Sequence, residues 1–126
     1  MRAIEYSVSN FTAGCIQHST QCIVAFLVAQ PGETVPVRCD QRVSAIPGAG
    51  GPNLIPDVVG AACTNSSRTF DFVRHDKGAT LTVSQPITPS SNITGSHEIS
   101  RSDFVVTYEP NAWVESYTGP SVFNLE

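Results

Sequence analysis

Apolar and polar residues alternate near the start of the chain. Ile4, Tyr6 and Val8 fall on one side and Glu5, Ser7 and Ser9 on the other, the two-residue period of a half-buried strand, which predicts a strand over about 4–12. Residues 22–29 are apolar on both faces. Pro31-Gly32 interrupts that run before it resumes over 34–39, which predicts a hairpin whose second strand is an edge at Pro36, where the ladder lacks an N–H. Further strands are expected over 68–74, 79–85, 96–100, 104–109, 113–118 and 121–124. Asp76-Lys77-Gly78, Pro86 to Pro89, Pro110-Asn111 and Gly119-Pro120 divide them as turns. No stretch holds a 3.6-residue period with caps, so little helix is expected. Residues 45–57 are too rich in Gly and Pro for regular structure and read as a long surface loop, the kind of segment that often carries function. The pattern is that of an all-β chain, an antiparallel barrel or sandwich, with 1–126 as one domain.

Four cysteines add a covalent frame. Cys15, Cys22, Cys39 and Cys63 are an even set with no close C-x2–4-C pair, and His18 is the only imidazole near them, so disulfides are expected rather than a metal centre. The expected pairing is Cys15–Cys22, closing a short loop between the first two strands, with Cys39–Cys63. Cys22–Cys39 remains a competitor because those positions come nearly opposite across the Pro-Gly turn. Disulfides belong to oxidising compartments, which predicts an extracellular protein. Met1 to Tyr6 lacks an apolar signal segment, so a secreted protein would be present here in its mature form.

Composition narrows the partners. Charged residues make up only 14% of the chain while Ser and Thr supply 25 of 126 positions, a polar but weakly charged surface. The seven Lys and Arg are scattered and the net charge is -4, which leaves no basic stripe for nucleic acid or anionic membranes. No apolar run reaches the length of a membrane span. Asn10, Asn65 and Asn92 each begin an Asn-x-Ser/Thr sequon, a possible N-glycosylation site.

Candidate chemistry is sparse. His75-Asp76 stands at a predicted turn, His97-Glu98 in or beside a strand, and His18 in the Cys15–Cys22 loop. Neighbours on a strand point to opposite faces, so His97 and Glu98 do not make an acid–base pair. A ribonuclease-type hydrolase could cast Glu98, His97, His75 and Arg101 in its parts, but the helix that such enzymes carry ahead of their sheet has no counterpart. The aromatics Phe70, Phe72, Phe104, Tyr108, Trp113, Tyr117 and Phe123 have core-filling spacing. Trp113 and Tyr117, sharing one strand face, are the best alternative as a recognition surface, or as the lining of a glycan or small-ligand pocket in a barrel mouth.

The segment from Tyr6 to Cys15 (YSVSNFTAGC), then His18-Ser-Thr-Gln-Cys22, Leu81-Thr-Val-Ser-Gln-Pro86 and Tyr117-Thr-Gly-Pro120, resembles the secreted hypersensitive-response-inducing protein elicitors of filamentous fungi. The likeness runs from about Tyr6 to Phe123 and includes the four-cysteine layout. Such proteins are similar in architecture to the β-barrel family typified by the major Alternaria allergen. The resemblance implies a secreted, non-catalytic effector in the host apoplast, with no cofactor. It implies a protein that a plant cell-surface or apoplastic protein perceives, triggering cell death and defence; a monomer or weak dimer is expected. It carries over Cys15, Cys22, Cys39 and Cys63 as scaffold and points to residues 16–21, with Gln17, His18, Ser19 and Thr20, as a recognition element.

Overall fold

A computed structural model describes residues 4–17, 19–47, 51–109 and 112–126. His18, Gly48 to Gly50 and the Pro110-Asn111 turn lie outside the described residues. The strands are β1 (Tyr6–Cys15), β2 (Gln21–Ala29), β3 (Val37–Ser44), β4 (Ile46–Pro47), β5 (Asn53–Leu54), β6 (Val58–Ala62), β7 (Thr69–His75), β8 (Gly78–Thr88), β9 (Ser91–Ser100), β10 (Phe104–Glu109), β11 (Ala112–Tyr117) and β12 (Phe123–Leu125). A 3-10 turn covers Arg101–Asp103. One sheet runs β3-β2-β1-β11-β5-β4, with β10 on β11 and β12 on β1. The other runs β6-β7-β8-β9.

β1 organises the first sheet because it changes neighbours half-way. Tyr6, Ser7 and Val8 pair with Leu125, Asn124 and Phe123 of β12, while Gly14 pairs with Ser116 of β11. Between them the register to β2 shifts from Ser9 to Thr12, with Asn10 in the left-handed region at φ 53°. Asn tolerates that conformation better than most residues, and a bulge here adds one residue to the strand. Buried positions therefore pass from Tyr6 and Val8 to Phe11 and Ala13, out of step by one. That is why the strand continues to Cys15, past the end expected from simple alternation.

The two sheets are sewn together along both edges. On one side Cys39 of β3 bridges Cys63, just after β6, and the Thr64 N–H donates to the Arg38 carbonyl at 2.8 Å. On the other, Ser96 of β9 and Glu126 exchange backbone hydrogen bonds at 3.0 Å each, and β12 itself lies on β1. The result is a barrel whose interior is filled by side chains. Phe11 meets Phe26, Phe72, Tyr117 and Phe123 with ring centroids 4.9–6.3 Å apart, and Phe26 meets Phe70 edge-on at 5.0 Å. Offset and edge-on contacts of this kind add to what burial alone contributes.

Both disulfides form as expected, Cys15–Cys22 and Cys39–Cys63, each joining residues directly opposite on antiparallel backbone. Cys39 stands opposite Phe26, four residues along β2 from Cys22, so the competing Cys22–Cys39 bridge is ruled out by register. Three expectations need correction. Residues 45–57 are not simply a surface loop, because β4 and β5 pair within them and Ile55 is buried to 1% exposure. Pro86 lies within β8 rather than at its end, opposite Asn92 beside a register shift, a place where a strand tolerates a missing N–H. β6 occupies a stretch for which no strand is expected from sequence; Gly60 at φ 66° and the register shift from Val58 to Ala61 break its alternation.

His97 faces inward opposite Leu81 and stacks on Phe123 at 4.2 Å, holding β12 against β9. Burial pushes its pKa below the ordinary 6.5, against the opposing pull of Glu98, Glu126 and Asp103. The unfolded chain therefore takes up this proton first as pH falls. Stability present above pH 6.5 is lost below it, until folded His97 also titrates. Denaturation midpoints between about pH 7.5 and 5 should fall for the native chain and show a flatter pH dependence for His97→Phe. A midpoint that does not change for the native chain over that window would contradict this role.

Candidate functional site: the loop end of the barrel

Several connections close at one end of the barrel. The Cys15–Cys22 loop is held there by its own backbone, with Ile16 N–H donating to Gln21 O at 2.8 Å and Ser19 N–H to Ile16 O at 3.2 Å. Ala45 and Asn53 lie against it: Ala45 N–H donates to Thr20 O at 2.7 Å and Asn53 Nδ2 to Ser19 O at 3.0 Å. Asn53 in turn pairs in parallel with Val114 of β11. Three separate candidates from the sequence, the 16–21 loop, the 45–57 stretch and the Trp113 strand, are thus joined through Ala45, Asn53 and Val114. Gln17 and Thr20 are exposed in it and Ser19 is half-buried.

An ion pair with a buried carboxylate and a partly buried guanidinium anchors this end. Arg74 of β7 grips Glu115 of β11 with both terminal nitrogens, at 2.7 and 3.0 Å, and also donates to the Ile55 carbonyl at 2.9 Å. Ile55 N–H returns a bond to Glu115 Oε1 at 3.0 Å, and the guanidinium lies 4.3 Å from the centre of the Phe104 ring. Asp57 Oδ1 accepts the Arg74 backbone N–H at 2.7 Å. The 45–57 segment is therefore tied at its far end to β7 and β11 together. Such fork-to-carboxylate geometry fixes orientation as well as distance.

The sequence puts Trp113 and Tyr117 on one face of β11, and the structure gives them different surroundings. Tyr117 packs edge-on against Phe11 at 4.9 Å, its hydroxyl donating to Pro120 O at 2.6 Å. Trp113 stays 49% exposed and meets Tyr108, itself 55% exposed and directly opposite on β10, at 5.1 Å. Val106 extends the same face. The exposed aromatic pair is therefore Tyr108 with Trp113. Cross-strand pairing could have revealed it, because two residues flanking a short hairpin turn stand opposite each other.

The ribonuclease cast divides. His75 and Glu98 do meet, with Nε2 at 3.3 Å from Oε1, and Nε2 is 3.1 Å from Thr80 Oγ1. The Thr80 hydroxyl also bonds Glu98. Lys77 N–H also lies 3.3 Å from His75 Nδ1. Activating the Thr80 hydroxyl would require Nε2 to accept. His97 points to the opposite face of the sheet, onto Phe123, and Arg101 stands in the 3-10 turn with its N–H on Lys77 O.

Compared with protein-family models, curated proteins and solved structures, the chain matches none of them. Its chemistry must be read from its own residues. Among the described residues no cluster of three or more His, Cys, Asp or Glu could hold a metal ion, and no helix is long and apolar enough to cross a membrane.

Proposed function

We propose that the protein is a secreted fungal elicitor that plants perceive, inducing hypersensitive cell death and defence responses, and that it acts by non-catalytic surface recognition at the loop end of the barrel. The carrying observation is that Thr20 and Ser19 bond Ala45 and Asn53, that Asn53 pairs with Val114 of β11, and that Tyr108 and Trp113 stand exposed on the β10–β11 pair beside them. The elicitor reading draws further on the resemblance over Tyr6 to Cys15 and on the disulfide layout, and the extracellular setting on the two bridges.

The test is infiltration of folded, oxidised protein into leaf tissue beside a reduced and alkylated control, scoring cell death and the oxidative burst. Response is expected from the folded sample alone. Trp113→Ala is expected to weaken recognition about 30-fold, as an aromatic hot spot losing about 2 kcal/mol. Its unfolding midpoint should stay near that of the native chain because the side chain is half exposed. Undiminished response from Trp113→Ala combined with Tyr108→Ala would remove the aromatic pair from recognition. Silence from both native samples, with folding verified by circular dichroism, would end the elicitor reading for the plants tested.

A second reading has one observation in its favour. An exposed Tyr–Trp pair is a stacking platform that a sugar ring could use, which places glycan binding on the hairpin rather than in the barrel mouth, where aromatic side chains occupy the interior. Titration of soluble oligosaccharides against Trp113 fluorescence separates the two readings.

A further inference from the structure

The end of the barrel opposite the loops is built differently. Arg68, only 2% exposed, donates to both carboxylate oxygens of Glu33 at 2.7 Å and to Gln85 Oε1 at 3.0 Å, and Gln85 Nε2 donates to Ser67 Oγ at 2.6 Å. This chain of bonds links the β2–β3 turn, the 63–68 turn and β8 into one rim. Asn65 stands near the apex of the 63–68 turn, which closes with Cys63 N–H on Arg68 O at 3.1 Å, and it holds φ 51°. Asn92 faces Pro86 across the end of the β8–β9 hairpin. Both are exposed. The same rim carries two apolar residues in water, Val35 at 77% and Ile87 at 56% exposure, two positions along from Glu33 and Gln85 respectively.

We propose that Asn65 and Asn92 are N-glycan acceptors and that their sugars cover this apolar rim, leaving the loop end bare. The proposal rests on the extracellular reading above. Transfer requires a large enzyme to reach the Asn amide and the hydroxyl two residues on from outside the barrel. At Asn65 the turn lies between β6 and β7 and Ser67 is exposed, with its Oγ accepting a bond from Gln85 at the surface. At Asn92 the tripeptide is paired, among the described residues, along one edge only, with β8, near the tip of the hairpin, and Thr94 is exposed with its hydroxyl 3.3 Å from that of Ser84. Asn10 differs, although it too is exposed. Its strand is paired with β2 on one edge, Phe11 N–H donates to Ser121 O on the other, and Phe11 sits at the centre of the core, so this tripeptide cannot leave the barrel without opening it. In the reaction a bond forms between Asn Nδ2 and the anomeric carbon of a lipid-pyrophosphate-linked oligosaccharide. The C–O bond to the pyrophosphate breaks, the amide proton leaves with the lipid pyrophosphate, and nothing is oxidised or reduced.

The experiment routes the full chain through a eukaryotic secretory pathway behind a supplied signal and compares native protein with Asn65→Gly, Asn92→Gln and the double variant. Glycine suits the left-handed backbone at residue 65. Mass and peptide analysis, before and after enzymatic release of N-glycans, is read on medium and cell extract alike. The expected result is two occupied sites, one lost in each single variant and both in the double, with the double variant precipitating at lower protein concentration. Sugar at neither residue, or at Asn10 alone, overturns the proposal. Failure of the oxidised chain to reach the medium counts instead against the extracellular reading, and the sugar content of the retained chain still decides the glycan question.

Discussion

Replacing Glu115 by Ala should destabilise the protein by about 3 kcal/mol or more and loosen residues 45–57 before the rest of the barrel opens. Glu115 is 7% exposed and accepts from both terminal nitrogens of Arg74 and from the Ile55 N–H. Removing it strands a guanidinium against Phe104, and that guanidinium's Nε already has no hydrogen-bond partner among the described residues. The loss is of a partner rather than of a contact, and leaving a largely buried charge uncompensated costs more than an intact pair contributes. Glu115→Gln keeps the acceptor but not the charge and should fall between Ala and native. Equilibrium denaturation gives the magnitude, and hydrogen exchange at Ile55 its location. A loss below about 1 kcal/mol would mean that the pair behaves as an exposed surface bridge.

Replacing Cys39 and Cys63 by Ser should cost about 3–4 kcal/mol, since the bridge closes a ring of sequence separation 24. The Cys15–Cys22 ring is shorter, with separation 7, so its removal should cost less on the same argument. There is also a local reason for the difference. Cys39 and Cys63 are both buried and make the backbone bridge between β3 and the end of β6, whereas Cys15 and Cys22 sit in the ladder between β1 and β2 that holds without them. Denaturation of the two double-serine variants, each with the other bridge intact, checks the order. A larger loss from Cys15 and Cys22 would place the weaker seam elsewhere.

The strands with clean alternation or continuous apolar runs could be read from sequence because their signals are local. β2, β7 and β10 follow from residues within them, whereas the disulfide pairing, favoured but left open by loop length, is decided by the register that sets Cys39 opposite Phe26. β6 could not be read, because Val58 and Val59 followed by Gly60 and two alanines show neither alternation nor aromatic residues, and its register shift erases the period. The stretch 45–57 reads as a loop because Gly and Pro speak against strands, yet Pro47 is accommodated in β4, which ends its sheet. The ion pairs were invisible for a different reason. Arg68 and Glu33 are 35 residues apart, Arg74 and Glu115 are 41 apart, and nothing in either segment announces the other. Tyr117 and Trp113 share a face, but only the position of Phe11 decides that one is packed and the other free to meet a partner.

The barrel closes by a covalent bridge on one side and by a two-bond backbone exchange through a three-residue strand on the other. Thermal opening should follow the second, so that the molecule breathes like a book bound along the Cys39–Cys63 spine. Amides of β12 and of the facing part of β9 would exchange with solvent first, while those around Cys39 would wait for global unfolding.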